Sequence, residues 1–226
     1  DTDQNGVPGI TGADCVIGYP MSCVFTNRFD QKKESLAFYS DASLKADDKL
    51  TLRAGLRFTR DTGKQTNLVS EASALNGDVV ATPIPLTNLE YETSKLTGKL
   101  GADYQFSDDV MAYANLSRGY RSPSFNAQAF FDPAEASASG SETINAAELG
   151  LKTRFADRRG TLNLAGYYYD YKNQQFISVD PATAAARLIN IPKSRIYGGE
   201  AELSFEASRN LTLRTGIALL NSKVQR

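Results

Sequence analysis

The stretch LTLRAGLRFTR (50–60) alternates with a period of two: Leu50, Leu52, Ala54, Leu56 and Phe58 fall on one parity, and Thr51, Arg53, Gly55, Arg57 and Thr59 on the other. A helix turning about 100° per residue would set Leu52 and Leu56 opposite Leu50 and Phe58, leaving no apolar stripe, whereas a strand fits at every position. One face is greasy and the other charged. The same pattern returns in ESLAFYSDASL (34–44), KLTGKLGADYQF (95–106), VMAYANL (110–116), AAELGLKTRF (146–155), TLNLAGYYYDY (161–171), GGEAELSFEA (198–207) and LTLRTGIALL (211–220). Strands are therefore expected near 34–44, 50–60, 91–106, 110–121, 145–155, 161–176, 194–207 and 211–223. LTLRAG and LTLRTG are nearly one hexapeptide, each placed just after a polar turn, which points to a recurring hairpin.

The connections alternate strictly. KADDK (45–49), SDD (107–109), ADRRG (156–160) and SRN (208–210) are short polar turns, while 61–90, 121–145 and 172–193 are long and rich in Ser, Ala, Asn, Gly and Pro. This describes an antiparallel up-and-down sheet with tight turns at one end and long loops at the other. A β-sandwich also alternates, but its strands are shorter and its turn signals come every ~8–12 residues. At about 3.3 Å per residue and a tilt near 45°, twelve residues rise about 28 Å, enough for the apolar band of a transmembrane barrel. The charged parity, with Arg53, Arg57, Lys99, Asp103, Glu148, Lys152, Arg154, Glu200, Glu202 and Glu206, suits a polar lumen and would equally suit a solvated sandwich face. Strand length and loop asymmetry favour an all-β membrane barrel.

Composition narrows the function. With 25 basic and 26 acidic side chains the net charge is −1, without the basic excess of a nucleic-acid binder. Mean hydropathy is −0.36, and no apolar run approaches the ~18 residues of a membrane helix, a test to which alternating strands are invisible. The chain has no starting Met and no charged-then-apolar leader, and reads as an excerpt of a longer protein. Histidine is absent, which removes Ser-His-Asp and Cys-His nucleophiles and makes a barrel-borne hydrolase a poor reading. Cys15 and Cys23 have no His or further Cys to complete a zinc site. A local disulfide in an oxidising compartment is expected instead. DTDQNG (1–6) matches the opening of a calcium loop through Asp1, Asp3, Asn5 and the turn residue Gly6. The carboxylate required at the twelfth position is replaced by Gly12, with Asp14 two residues later, so a calcium site and a plain Asp/Asn/Gly turn are both open. No other cofactor is expected.

VMAYANLSRGYRSPSF followed by ETINAAELGLKTRFADRRGTLNLAGYYYDYKNQQF resembles the middle of the barrel of a TonB-dependent outer-membrane receptor, and NIPKSRIYGGEAELSFEASRNLTLRTGIALLNSKV is similar to the next hairpin of that family. The likeness spans residues 35–226 and rests on four features in order: an aromatic-small strand running into SRGYRSPS, AELGLK, the Tyr-rich GYYYDYKN, and GGEAELSF before NLTLRTG. It implies that the eight strands are an arc of a 22-stranded wall around a plugged lumen. It further implies a Gram-negative outer membrane as the site, and TonB-energised uptake of a scarce ligand such as a ferric siderophore, a corrinoid or an oligosaccharide. The partners implied are outer-membrane lipid, TonB, a plug domain and a small-molecule or metal-chelate ligand, with no nucleic acid. A structural or adhesive barrel without transport is the alternative.

On that resemblance, residues 1–34 form an extracellular loop segment holding the disulfide, and 35–226 the partial barrel. Arg118, Tyr120, Arg121, Phe125, Phe130 and Phe131 are candidates for a basic-aromatic ligand cluster at the mouth. The plainer reading is that Tyr120 anchors the membrane interface and the arginines pair with lumen carboxylates. Tyr167 and Tyr169 are expected in the lumen, to stack on ligand or simply pack. Tyr168 is expected in the outer aromatic girdle.

Overall fold

In the computed structural model, residues 23–74, 77–181 and 186–225 are described. They form one antiparallel sheet with the strands in chain order: β1 (Cys23–Lys45), β2 (Leu50–Ala74), β3 (Val79–Ser107), β4 (Val110–Arg121), β5 (Glu142–Phe155), β6 (Gly160–Val179), β7 (Ala186–Ser208) and β8 (Leu211–Gln225). β1 pairs only with β2 and β8 only with β7, so the described sheet is an open arc. The helical piece among the described residues is one 3-10 turn, Pro133–Glu135.

Register confirms the two faces. Directly opposed residues share a side of a sheet, and the pairs Phe38–Phe58, Phe58–Leu96, Leu100–Leu116, Leu116–Ala147, Ala147–Tyr168, Tyr168–Tyr197 and Phe205–Leu213 put the apolar parity on one side of all eight strands. Leu56, Leu100 and Leu149 are each more than 60% exposed on that side, and among the described residues no second layer packs on it; an outward apolar band of this kind is what a transmembrane wall presents. The band runs from Tyr104, Phe106, Phe155 and Phe205 near the short turns to Phe38, Phe58, Tyr168 and Tyr197 above. Along β6, Gly160 to Tyr168 rises about 20 Å at the usual strand rise and tilt, close to the height of a membrane band. The opposite face carries Arg53 paired to Asp103 and Lys99 to Asp41.

The short turns are where the alternation places them. Asp47 accepts from the N–H groups of Lys49 and Leu50 at 2.7 and 2.8 Å, closing the β1–β2 turn. Ala156, Asp157 and Arg158 all have positive φ, 53°, 54° and 66°, in the β5–β6 turn.

The other end departs from expectation. Residues 23–34, expected in an extracellular loop, belong to β1, and most of 61–90 and 172–193 is strand as well, in β2–β3 and β6–β7. Of the three long segments, 121–145 keeps the longest described stretch outside the strands, 122–141. The reason is physical: alternation needs one face in lipid, and beyond the band neither face meets lipid, so the apolar signal ends while backbone pairing continues. Asp1, Asp3, Asn5 and Cys15 lie outside the described residues, and with them the proposed calcium cluster and disulfide. Cys23 is the first residue of β1.

Candidate functional site at the mouth of the wall

The buried residues are concentrated above the band. Thr59, Asp61 and Gln65 are buried on the lumen parity of β2. A one-residue offset between Arg28–Val69 and Asp30–Thr66, with Asn67 at φ 58°, then shifts that parity to even numbers, and Leu68, Ser70 and Ala72 are buried in turn. What covers them is the loop 122–141, which folds inward instead of standing free.

That loop is internally braced. Phe125 bridges Ala138, and the N–H groups of Asn126 and Ser139 donate to Ser137 O and Ser124 O at 3.0 and 2.8 Å. Asp132 caps the 3-10 turn by accepting from Ala134 N–H at 2.7 Å, with Pro133 at its first position. Fully buried Glu135 turns back so that one carboxylate oxygen accepts from the N–H groups of Phe130 and Phe131, at 2.7 and 3.2 Å.

It is also tied to the walls on both sides. Toward β1–β3, Asn27 donates to Ala129 O and Ser70 to Phe130 O, each at 2.8 Å. Phe131 meets Phe25 edge-on at 4.9 Å, and Phe125 lies against Tyr91 at 5.1 Å. Toward β6–β7, the Asn126 amide donates to Ala186 O at 2.6 Å, Gln175 donates to Ser122 O at 2.8 Å, and the Asn190 side chain accepts from Gly140 N–H at 2.7 Å. Arg187 pairs with Asp132 at 3.5 Å.

Beside the loop an open depression of about 570 Å³ is lined by Lys33, Arg57, Asp61, Tyr91, Tyr120 and Ser122 among others. The Tyr120 hydroxyl donates to Asp61 across it. Tyr120 is the penultimate residue of β4, at the upper edge of the band. The Tyr91 phenol, above the band, has its pKa raised by burial, an effect the Ser122 hydroxyl opposes and Asp61 reinforces.

The expected cluster is thus divided. Tyr120 reaches the depression, and Phe125, Phe130 and Phe131 pin the loop, Phe125 being buried and Phe131 43% exposed. Arg118 sits opposite Gly98 and Asn145 in the outward row, and Arg121 is exposed at the end of β4. Tyr167 and Tyr169 take the lumen parity of β6 and stack on each other at 5.0 Å and 20°, away from the loop's rings. Tyr167 covers Gly198, where an added Cβ would fall 2.3 Å from Leu219 O. Asn126, Glu135, Gln175 and Asn190 escape sequence reasoning, because no periodicity marks them. DPAE (132–135), a cap residue followed by Pro, was the available signal for the turn.

Comparison with solved structures finds the same wall. The ferric yersiniabactin uptake receptor FyuA of Yersinia pestis matches with a TM-score of 0.69 and 23% identity, over 89% of this chain and 28% of that one. The copper transporter OprC matches at 0.71 and 18%, over 86% and 30%. The alcaligin outer membrane receptor FauA of Bordetella pertussis matches at 0.57 and 16%, over 86% and 31%. The chain spans less than a third of each, and at these identities the likeness concerns the fold. A family model described as TonB dependent receptor-like, beta-barrel matches residues 2–225. With a lipid-facing band, tight turns at one end and that match over nearly its whole length, the chain belongs to the TonB-dependent receptor-like β-barrel family.

Proposed function

We propose that the chain forms part of the wall and mouth of a Gram-negative outer-membrane receptor that takes up a scarce ligand, of the class of ferric siderophores, corrinoids or oligosaccharides. Uptake is energised by TonB through a plug domain in the lumen, and the ligand moves without covalent chemistry. The observation that carries this reading is the inward-folded loop 122–141, tied to both tall hairpins beside a lumen-side depression lined by Lys33, Arg57, Glu34, Asp61 and the rings of Tyr91 and Tyr120. Charges of both signs beside aromatic rings in one recess suit a polar chelate or sugar held by mixed hydrogen bonds and ring contacts. A purely structural barrel has no need of a polar recess under a braced loop.

The test is uptake by cells carrying the complete receptor gene in a background lacking other receptors. The probes are radiolabelled ferric catecholate, hydroxamate and phenolate siderophores, cobalamin and a labelled oligosaccharide. Accumulation of one probe that disappears when TonB is deleted is expected. Equal background accumulation of all of them, with and without TonB, overturns transport and leaves the non-transporting barrel.

A further inference from the structure

The lumen-facing rows of the wall are divided by charge. Four successive rows run from the opposed pair Tyr39–Arg57 down to Lys45–Thr51, each about 6.6 Å along the strands from the next. On β1–β3 every one of these rows carries one cation: Arg57, then Lys99, then Arg53, then Lys45. Their continuation across β4–β8 carries none among the described residues, and Glu148 and Glu200 face the lumen there. Lys99 pairs with Asp41 at 2.7 Å and Arg53 with Asp103, both cations staying about half exposed. Arg57, whose Nε donates to Thr59 at 3.0 Å, and Lys45 have no ion-pair partner among the described residues.

Space follows the same side. Below the mouth recess, a second hollow of about 270 Å³ lies between Tyr39, Arg57 and Thr97 above and Asp41 and Lys99 below, and it shares Arg57 and Thr97 with the recess. A third, of about 480 Å³, opens beside Lys45, Asp103 and Gln105 at the short-turn end. Tyr39 stands 77% exposed in this trough, and Gly55 and Gly101 bring no side chain into it. Across β4–β7 the lumen face is filled instead: Tyr113 covers Gly150, Tyr167 covers Gly198, and Tyr169 stacks on Tyr167. Half-exposed ion pairs contribute little to stability, so their cations change partner at small cost. Cations at regular intervals on one side, with acids on the other, draw an anion to β1–β3 and keep it off β5–β7. Passage along a pore needs several weak sites in series and not one tight one.

We propose that Arg57, Lys99, Arg53 and Lys45 form a ladder that passes the anionic group of a ligand from the mouth recess down the β1–β3 side of the lumen, with Asp41 and Asp103 giving way in turn. The proposal rests on the transport reading and narrows its ligand to one bearing an anionic group. Its first test reads the local field and not uptake, so the two fail separately. The complete receptor, in a Cys15→Ser, Cys23→Ser background, is reconstituted in vesicles and spin-labelled at Ser43→Cys, opposite Arg53, or at Ala165→Cys, opposite Glu200. Saturation EPR compares the access of tris(oxalato)chromate, a trianion, and of a neutral nickel chelate to each label. The anion-to-neutral ratio at position 43 is expected to exceed that at 165 at least about threefold. It should fall to parity in about 1 M salt, where the screening length is about 3 Å. Arg53→Gln with Lys99→Gln should abolish the excess, and Arg53→Lys with Lys99→Arg should keep it. In cells, the double Gln variant is expected to lower the maximal uptake rate of the transported probe at least about fivefold with its surface Kd within about twofold, since Lys33 and Arg57 at the mouth are untouched. Heat-modifiable gel mobility selects folded protein, and if the double Gln variant fails to fold, the salt arm and the charge-conserving variant decide. Equal ratios at the two positions, a ratio untouched by salt or by the double Gln variant, or unchanged uptake in that variant when folded overturns the proposal. So does exclusion of both reagents from position 43, which would show that a plug fills this side. If no probe is taken up, the transport reading falls, and the access ratios still decide the anion ladder.

Discussion

At Glu135 a buried carboxylate oxygen receives two backbone N–H groups, while its second oxygen is buried without a hydrogen-bond partner. Hydrogen bonds to a charged acceptor contribute about 1.5–3 kcal/mol, and stranded buried donors carry a penalty of similar size. Glu135→Ala is therefore expected to loosen the loop by about 2 kcal/mol, read as roughly thirtyfold faster amide exchange across 125–139 with the barrel's heat-modifiable mobility unchanged. Tyr120→Phe removes the hydroxyl that donates to buried Asp61 and is expected to cost about 1–3 kcal/mol, read as a lowered urea midpoint for refolding into vesicles; an unchanged midpoint would exclude a stabilising role for this bond. None of this was legible in the sequence: Glu135 and Asn126 sit among small residues without periodicity, and Tyr120 falls on the apolar parity of β4, so nothing in the alternation pairs it with Asp61.

Strand cores were legible and strand ends were not, for one reason. Within the band, Leu50 to Phe58 or Leu96 to Phe106 announce themselves because lipid and lumen select opposite residue types. Beyond it that selection stops: in Lys64–Val69 one face lies under the inward loop, in Phe176–Val179 both faces are exposed, and pairing continues without a period-two signature. The short turns were readable from polarity, but their strain was not. Ala156 is held at φ 53°, a region that costs an L-residue about 1–2 kcal/mol and glycine almost nothing. Ala156→Gly should thus stabilise the β5–β6 hairpin by roughly 1 kcal/mol, less some unfolded-state entropy, seen as a raised urea midpoint for reversible folding into vesicles.

At the scale of the molecule, the two faces have opposite tolerances. Leu149 is mid-band on the outward side, level with Ala114 and Gly166. Leu149→Arg should cost about 2–4 kcal/mol of folding into a bilayer, while Ser117→Arg on the lumen face should stay within roughly 0.5 kcal/mol. Vesicle refolding of both variants measures the difference, and equal penalties would contradict the assignment of faces. The wall is also uneven in height. β4 ends at Arg121 and β5 begins at Glu142, while the β2–β3 and β6–β7 hairpins continue far past them. The rim therefore dips between two towers, and the segment 122–141 spans the dip from inside, bonded to Asn27 and Ser70 on one tower and to Gln175, Ala186 and Asn190 on the other. In mechanical terms it is a tie-rod: neither tower can lean outward without stretching bonds to its neighbour, so a push against one hairpin tip arrives at the other as a pull.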